Sequence, residues 1–188
     1  MIRARTFGIV AISTAAAIAA AFGAGHAIGL RVNFTESAPM GIWRVQPVGA
    51  VARGQLVEVC PPALPIVTVM ADRGYLDPGD CPAGVLSLLK PVAAAAGDTV
   101  TIRSGHPVEV NGYALPFTEP MPAIPGWPDG AYTVDEGHIW LLSTYSAGSF
   151  DSRYFGPVPV ANVRGRAAPV LVKGDPADMT KVAGGTRP

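Results

Sequence analysis

Charge is scarce in this chain. Of its 188 residues only 15% are Asp, Glu, Lys or Arg, and 14 acids cancel 14 bases. No surplus positive field remains to hold a phosphate backbone, which argues against nucleic acid as a partner. Histidine is scarcer still: His26, His106 and His138 stand apart, without ligand spacing, and two cysteines are too few for a structural zinc site. Neither a metal nor another cofactor is expected. Repeats and low-complexity arrays are also missing, and beyond residue 30 no stretch carries a clear helical signal. What the chain has instead is 22 glycines and 19 prolines scattered through a sequence that is 49% apolar. That combination predicts an all-β domain of short strands and many turns, rather than disorder or a collagen-like repeat.

The apolar residues are densest from Phe7 to Leu30, a run with no Asp, Glu, Lys or Arg. At about 1.5 Å per residue the run can cross a hydrocarbon core of about 30 Å. A cleaved signal peptide is the alternative, since "AFGAGHA" resembles a cleavage region, but the run exceeds the usual apolar stretch of about 7 to 15 residues. An uncleaved anchor fits that length better. Arg3 and Arg5 before the run, against Arg31 after it, place the N-terminus inside and the remainder outside by the positive-inside rule. The expected organisation is an anchor over residues 1–30, a β-rich domain over 31–172 on the outer face of the cytoplasmic membrane, and a polar, frayed tail over 173–188. Cys60 and Cys81 read as one disulfide in such an oxidising compartment, with two free buried thiols as the alternative.

Strand and turn signals follow the anchor almost continuously. "GIWRVQPV" and "GQLVEVC" read as strands, and "CPPALPIVTVMADRGYLDPGDC" as a loop or short hairpin tied at its base. "GVLSLLKPVAAAAGDTVTI" reads as strand, turn at Gly97-Asp98, and strand. "HPVEVNGYALPF" is the sharpest local signal, because Asn111-Gly112 between alternating residues suits a type I′ hairpin. "AYTVDEGHIWLLS" predicts a strand pair around Glu136-Gly137, and "RYFGPVPVANVRGRAAPVL" a last strand region.

Within this β framework Lys90 is chemically out of place. A strand puts it on one face with Leu86, Leu88 and Val92, and Pro91 favours the extended backbone there. Burial disfavours the ammonium, and a neutral lysine is a usable general base. The plain alternative is a lysine that snorkels to water. "SLLK" at Ser87 to Lys90 also matches an S-x-x-K motif, but positions three apart on a strand face opposite ways, and the companion motifs S-D-N and K-T-G are missing. A Ser-His-Asp triad lacks its G-x-S-x-G elbow, and both His106 and His138 adjoin turn glycines. Asp98 reads as a turn residue.

Lys90 has company that changes its weight. "NFTESAPMGIW" at residues 33–43, "LSLLKPV", "AAAAGDTV" and "GSFDSRYFGPVP", in this order behind an anchor, resemble the signal peptidase family of Ser-Lys serine peptidases. The form T-x-S-x-P-x-G-I-W, the two cysteines and the long loop between them are similar to the conjugative-transfer, TraF-type branch, which matures a pilin precursor. The resemblance implies a signal-peptidase-like β domain with Ser37 as nucleophile and Lys90 as general base. It further implies Thr35 as an oxyanion donor, Ser149 as the hydroxyl that orients the lysine amine, and Asp151 with Arg153 as a structural pair. Pro91, where leader peptidases commonly have a basic residue, and "TYSAGS", where they have a GDNR lead-in, favour that branch. The implied partners are the membrane and a precursor protein substrate, either a pilin or a protein bearing a signal peptide, with cyclisation of the product open beside hydrolysis. Two alternatives stay open: a general type I signal peptidase, and a non-catalytic anchored β-domain of a secretion or conjugation apparatus.

Overall fold

The computed structural model describes residues 2–180. The chain opens with helix α1 (Ile2–Ala27), whose apolar segment Thr6–Ala27 is not buried against the rest of the molecule and is long and apolar enough to cross a bilayer. The helix ends short of the apolar run from Phe7 to Leu30. Gly29 turns the chain at φ 85°, and Leu30 already begins strand β1 (Leu30–Asn33). A Cβ at Gly29 would lie 2.2 Å from the Val45 carbonyl oxygen, so glycine is required at this turn.

Next come β2 (Met40–Gln46), β3 (Leu56–Val59), helix α2 (Pro65–Asp72), β4 (Leu88–Ala94), β5 (Thr99–Ile102), β6 (Glu109–Val110) and β7 (Tyr113–Ala114). After these follow β8 (Gly130–Thr133), β9 (His138–Leu141), the single turn α3 (Ser152–Phe155), β10 (Val158–Pro159) and the long β11 (Val163–Lys173). A seven-stranded sheet runs β1-β2-β11-β3-β4-β9-β10, and a four-stranded sheet runs β7-β6-β5-β8. The pairings are antiparallel. The expected all-β domain is therefore present as mostly antiparallel sheet with few helices, behind an apolar N-terminal helix.

Strand β9 shows how one sequence period builds two cores. Ile139 and Leu141 face a cluster with Val57, Val92, Met70 and Phe155, whereas Trp140 and the following Leu142 face a second cluster with Val100, Ile102 and Val110. Alternation along a pleated strand produces this division directly. The predicted I′ hairpin is also formed: Asn111 and Gly112 both have positive φ, 52° and 82°, between the paired Val110 and Tyr113.

Four expectations need correction. Glu136-Gly137 does not join a strand pair, because β8 pairs with β5 while β9 pairs with β4 and β10. Hydrogen bonds Val134 N to Asp98 O (2.9 Å) and Gly97 N to Val134 O (3.0 Å) keep β8 on the β5 turn, so the chain changes sheets at Gly137. The segment between the cysteines is not only loop; it contains α2, with Pro65 at its start, where a missing N–H costs nothing, and Val67 and Met70 buried three apart on one face. The segment "SRYF" in the last region is helical (α3), because Asp151 caps it through its side chain to Arg153 N. The tail expected to fray from Lys173 is packed as far as Thr180: Met179 is fully buried and Thr144 Oγ1 donates to Asp178 O at 2.6 Å. The rest of that tail, 181–188, lies outside the described residues.

Cys60 and Cys81 form a disulfide that closes the α2 excursion across a sequence separation of 21. Closing a loop of this size stabilises by roughly 3 kcal/mol through the unfolded state. Replacing both cysteines by alanine is therefore expected to lower the unfolding free energy of the detergent-solubilised chain by about that amount. Denaturant titration of both forms checks it, and superimposable curves would contradict it.

Candidate active site

The site is assembled from three segments: the connection after β1, the start of β4, and the loop leading into α3. The first segment is held by Asn33. Its Nδ2 donates to the carbonyl oxygens of Thr35 (3.0 Å), Ala38 (3.0 Å) and Pro39 (3.2 Å), while its Oδ1 accepts from Thr35 N (3.2 Å) and Thr35 Oγ1 (2.9 Å). Trp43, itself buried, adds a hydrogen bond from Nε1 to Pro39 O at 3.0 Å. Gly41 has φ 137°, and a Cβ there would meet the Leu171 carbonyl oxygen at 2.2 Å, so β11 can pass alongside only a glycine. The spacing of Asn33, Pro39, Gly41 and Trp43 thus fixes the short loop that presents Ser37.

Ser37 Oγ lies 3.1 Å from Thr35 Oγ1. Because the Thr35 hydroxyl donates to Asn33, Ser37 is the donor in this contact. The Ser37 carbonyl accepts from Ser143 Oγ at 3.3 Å, tying the loop to the chain after β9.

Lys90 lies on β4 opposite Val57 and is 2% exposed. Its Nζ donates to Ser149 Oγ at 2.7 Å, and Ser149 is fully buried. Burial lowers the Lys90 pKa to about 8; the negative charge of Asp151 opposes that shift and the positive charge of Arg153 reinforces it. Lys90 does not snorkel; its amine is desolvated, as its apolar setting suggests. Among the described residues its hydrogen bond goes to Ser149 and not to Ser37, although both Ser37 and Lys90 line one groove of about 890 Å³. Thr35, Tyr75, Leu86 and, from the end of α1, Phe22 and His26 line it too.

The third segment is held by a buried ion pair. Arg153 Nε and Nη2 bond Asp151 Oδ1 and Oδ2 at 2.8 and 2.9 Å, and neither side chain is exposed. Arg153 also donates to Phe117 O (2.7 Å) and Ser143 O (3.1 Å), and Ser143 N donates to Asp151 Oδ2 (3.1 Å). Burial works against the guanidinium charge, but Asp151 outweighs it and raises the Arg153 pKa. Across the groove, Tyr75 Oη donates to Gly148 O at 2.6 Å, joining the disulfide-closed excursion to the residue beside Ser149.

The other candidates fall elsewhere. His106 and His138 are not among the residues lining this groove. Asp98 serves its turn, accepting from Ala95 N (2.9 Å) and Asn111 Nδ2 (2.7 Å). The Ser87 hydroxyl donates to Glu58 at 2.7 Å rather than to Lys90. Glu58, a buried acid that lines the groove, was not foreseen, yet "LVEVC" carries the same signal as Lys90: one charge in an apolar strand. Ser143 in "LLSTY" has no such signal.

Comparison with known proteins places the chain in a family. Residues 3–172 match the family model described as signal peptidase, peptidase S26. The chain is 40% identical over 149 residues to a probable conjugal transfer protein TraF of Sinorhizobium fredii, covering 76% of this chain and 77% of that protein. It is 35% identical over 170 residues to a plasmid transfer protein TraF of Escherichia coli, covering 87% and 93%. A crystal structure of a signal peptidase I from Enterococcus faecalis aligns at 20% identity and a TM-score of 0.38, over 63% of this chain and 97% of that one.

Removing one partner of a fully desolvated ion pair strands the other. Asp151→Asn or Arg153→Met alone is expected to cost about 3 to 5 kcal/mol, and the double substitution less than the sum of the two. Denaturant unfolding of the three variants in detergent checks this, and additive losses would contradict a directly coupled pair.

Proposed function

The chain belongs to the signal peptidase family, peptidase S26, and from that premise we propose that it is a Ser-Lys serine endopeptidase that processes an exported precursor in conjugative transfer. The observation that carries the reading is Lys90: a fully desolvated amine, positioned by Ser149, on the wall of the groove that also holds Ser37. The relatives named for conjugal and plasmid transfer support the setting, and a pilin precursor is the substrate proposed. The apolar helix supports retention in the inner membrane with the β domain outside.

The substrate adds as an extended strand beside β4. Residues Leu88 to Pro91 pair with β3 on one side, but β9 joins the other side only from Val92, which leaves the start of β4 with an open edge facing the groove. In the resting site the Ser37 hydroxyl donates a hydrogen bond to Thr35 Oγ1. Substrate in the groove turns the Ser37 hydroxyl toward the neutral Lys90 amine, which takes the proton as Oγ attacks the scissile carbonyl. The Ser37 N–H and the Thr35 hydroxyl, released from Asn33, then meet the negative oxygen of the tetrahedral intermediate. Its collapse expels the leaving amine, protonated from Lys90, and leaves an acyl-serine. Water then releases the product, or an amine of the precursor does so and closes a ring. A cyclic product is lighter by one water, so product mass separates the two.

Ser37→Ala and Lys90→Ala are each expected to abolish processing of a conjugative pilin precursor in membrane vesicles, read by mass spectrometry; full processing by Ser37→Ala would end the peptidase reading. Because only neutral Lys90 can act as base and its pKa is about 8, kcat/KM should climb with pH and level off above about 8. At pH 7 about one site in ten would be competent. A profile flat between pH 6 and 10 would remove Lys90 as the base.

A further inference from the structure

We infer that Arg31, Glu58 and Ser87 form a clip that couples the membrane anchor to the strand carrying Lys90, and so fixes where along a membrane-embedded precursor the cut falls. The inference rests on the peptidase reading. One carboxylate oxygen, Glu58 Oε1, accepts from Arg31 Nε at 2.9 Å and from Ser87 Oγ at 2.7 Å. Arg31 reaches the other way as well: its Nη1 donates to His26 O (3.1 Å), one of the last carbonyls of α1, and to Leu30 O (3.0 Å). Ser87 enters β4 three residues before Lys90, and Glu58 lies opposite Leu89 in the ladder. Three side chains therefore run from the end of the membrane helix to the base-bearing strand.

Stability of the β domain does not account for Glu58. It is 5% exposed, and among the described residues its second oxygen, Oε2, has no hydrogen-bond partner. An acceptor buried in that state costs free energy, and the β3–β4 ladder is already closed by its own backbone bonds. What the ladder does not hold is α1. Its apolar segment is not buried in the domain, and it joins β1 through the turn at Gly29. Yet Phe22, Gly23 and His26, from its last two turns, line the same groove as Ser37 and Lys90. The clip sets the direction of those turns, and hence the height at which a precursor anchored beside α1 meets the nucleophile.

The full-length chain in vesicles of phosphatidylethanolamine and phosphatidylglycerol is the system to test. Two substrates are compared: the pilin precursor with its apolar segment in the same bilayer, and a water-soluble peptide spanning the same cut. The readout is the ratio of the two kcat/KM values together with the mass of each product. For Glu58→Gln and Arg31→Gln the precursor-to-peptide ratio is expected to fall about tenfold or more, as for a misplaced reacting bond, with cuts spreading to neighbouring bonds of the precursor. Glu58→Asp should recover part of the ratio. Equal losses on both substrates, or an unchanged ratio and a single cut, would overturn the clip. Arg31, with its side chain 29% exposed, carries the same test if the Glu58 variants do not fold. Wild type cutting neither substrate would instead overturn the peptidase reading itself.

Discussion

The Asp151–Arg153 ion pair is the interaction on which the site depends. Sealed from water, it gathers the carbonyls of Phe117 and Ser143, the amide of Ser143 and the start of α3 around one charge-neutral centre. Ser149 stands two residues before Asp151 and is placed by that centre, and Lys90 is bonded to Ser149. The two charges of the pair pull the Lys90 pKa in opposite directions, so burial is left to decide it. A lysine poised near neutrality thus arises from a neutralised pair close by, without an added cation.

On the opposite wall the organising group is uncharged. Asn33 uses both ends of its amide to fold five residues around Ser37, and Trp43 closes the loop from the β2 side. Ser143 ties this wall to the ion pair, since its hydroxyl bonds the Ser37 carbonyl while its backbone bonds Asp151 and Arg153. Ser37 and Lys90 are therefore positioned by one connected polar framework that spans separate strands.

Much of this was legible in the residues. Apolar length announced α1, the Asn111-Gly112 pair announced its hairpin, and Lys90 betrayed itself as a charge among leucines. Signals of this kind are local, and each rests on a side chain at odds with its neighbours. Legibility failed where structure depends on distant partners. The switch of sheets at Gly137 follows from a bond between Val134 and the Asp98 turn, and no neighbouring residue signals it. Helix α2 was obscured because proline reads first as punctuation, although Pro65 sits where a helix tolerates it. Ser143 was invisible because a serine in a strand end has many ordinary uses. Glu58 was open to the logic that found Lys90.

The bond from Tyr75 to Gly148 gives the disulfide a meaning beyond tethering a loop. Tyr75 belongs to the excursion sealed by Cys60 and Cys81, and it holds the stretch beside Ser149 from across the groove. Oxidation of two thiols is thus wired to the shape of the cleft. Without the Cys60–Cys81 bond, the chain's own backbone and non-covalent contacts would be left to hold that wall. An oxidising environment, by keeping the two sulfurs joined, would thereby brace the cleft as well as the loop.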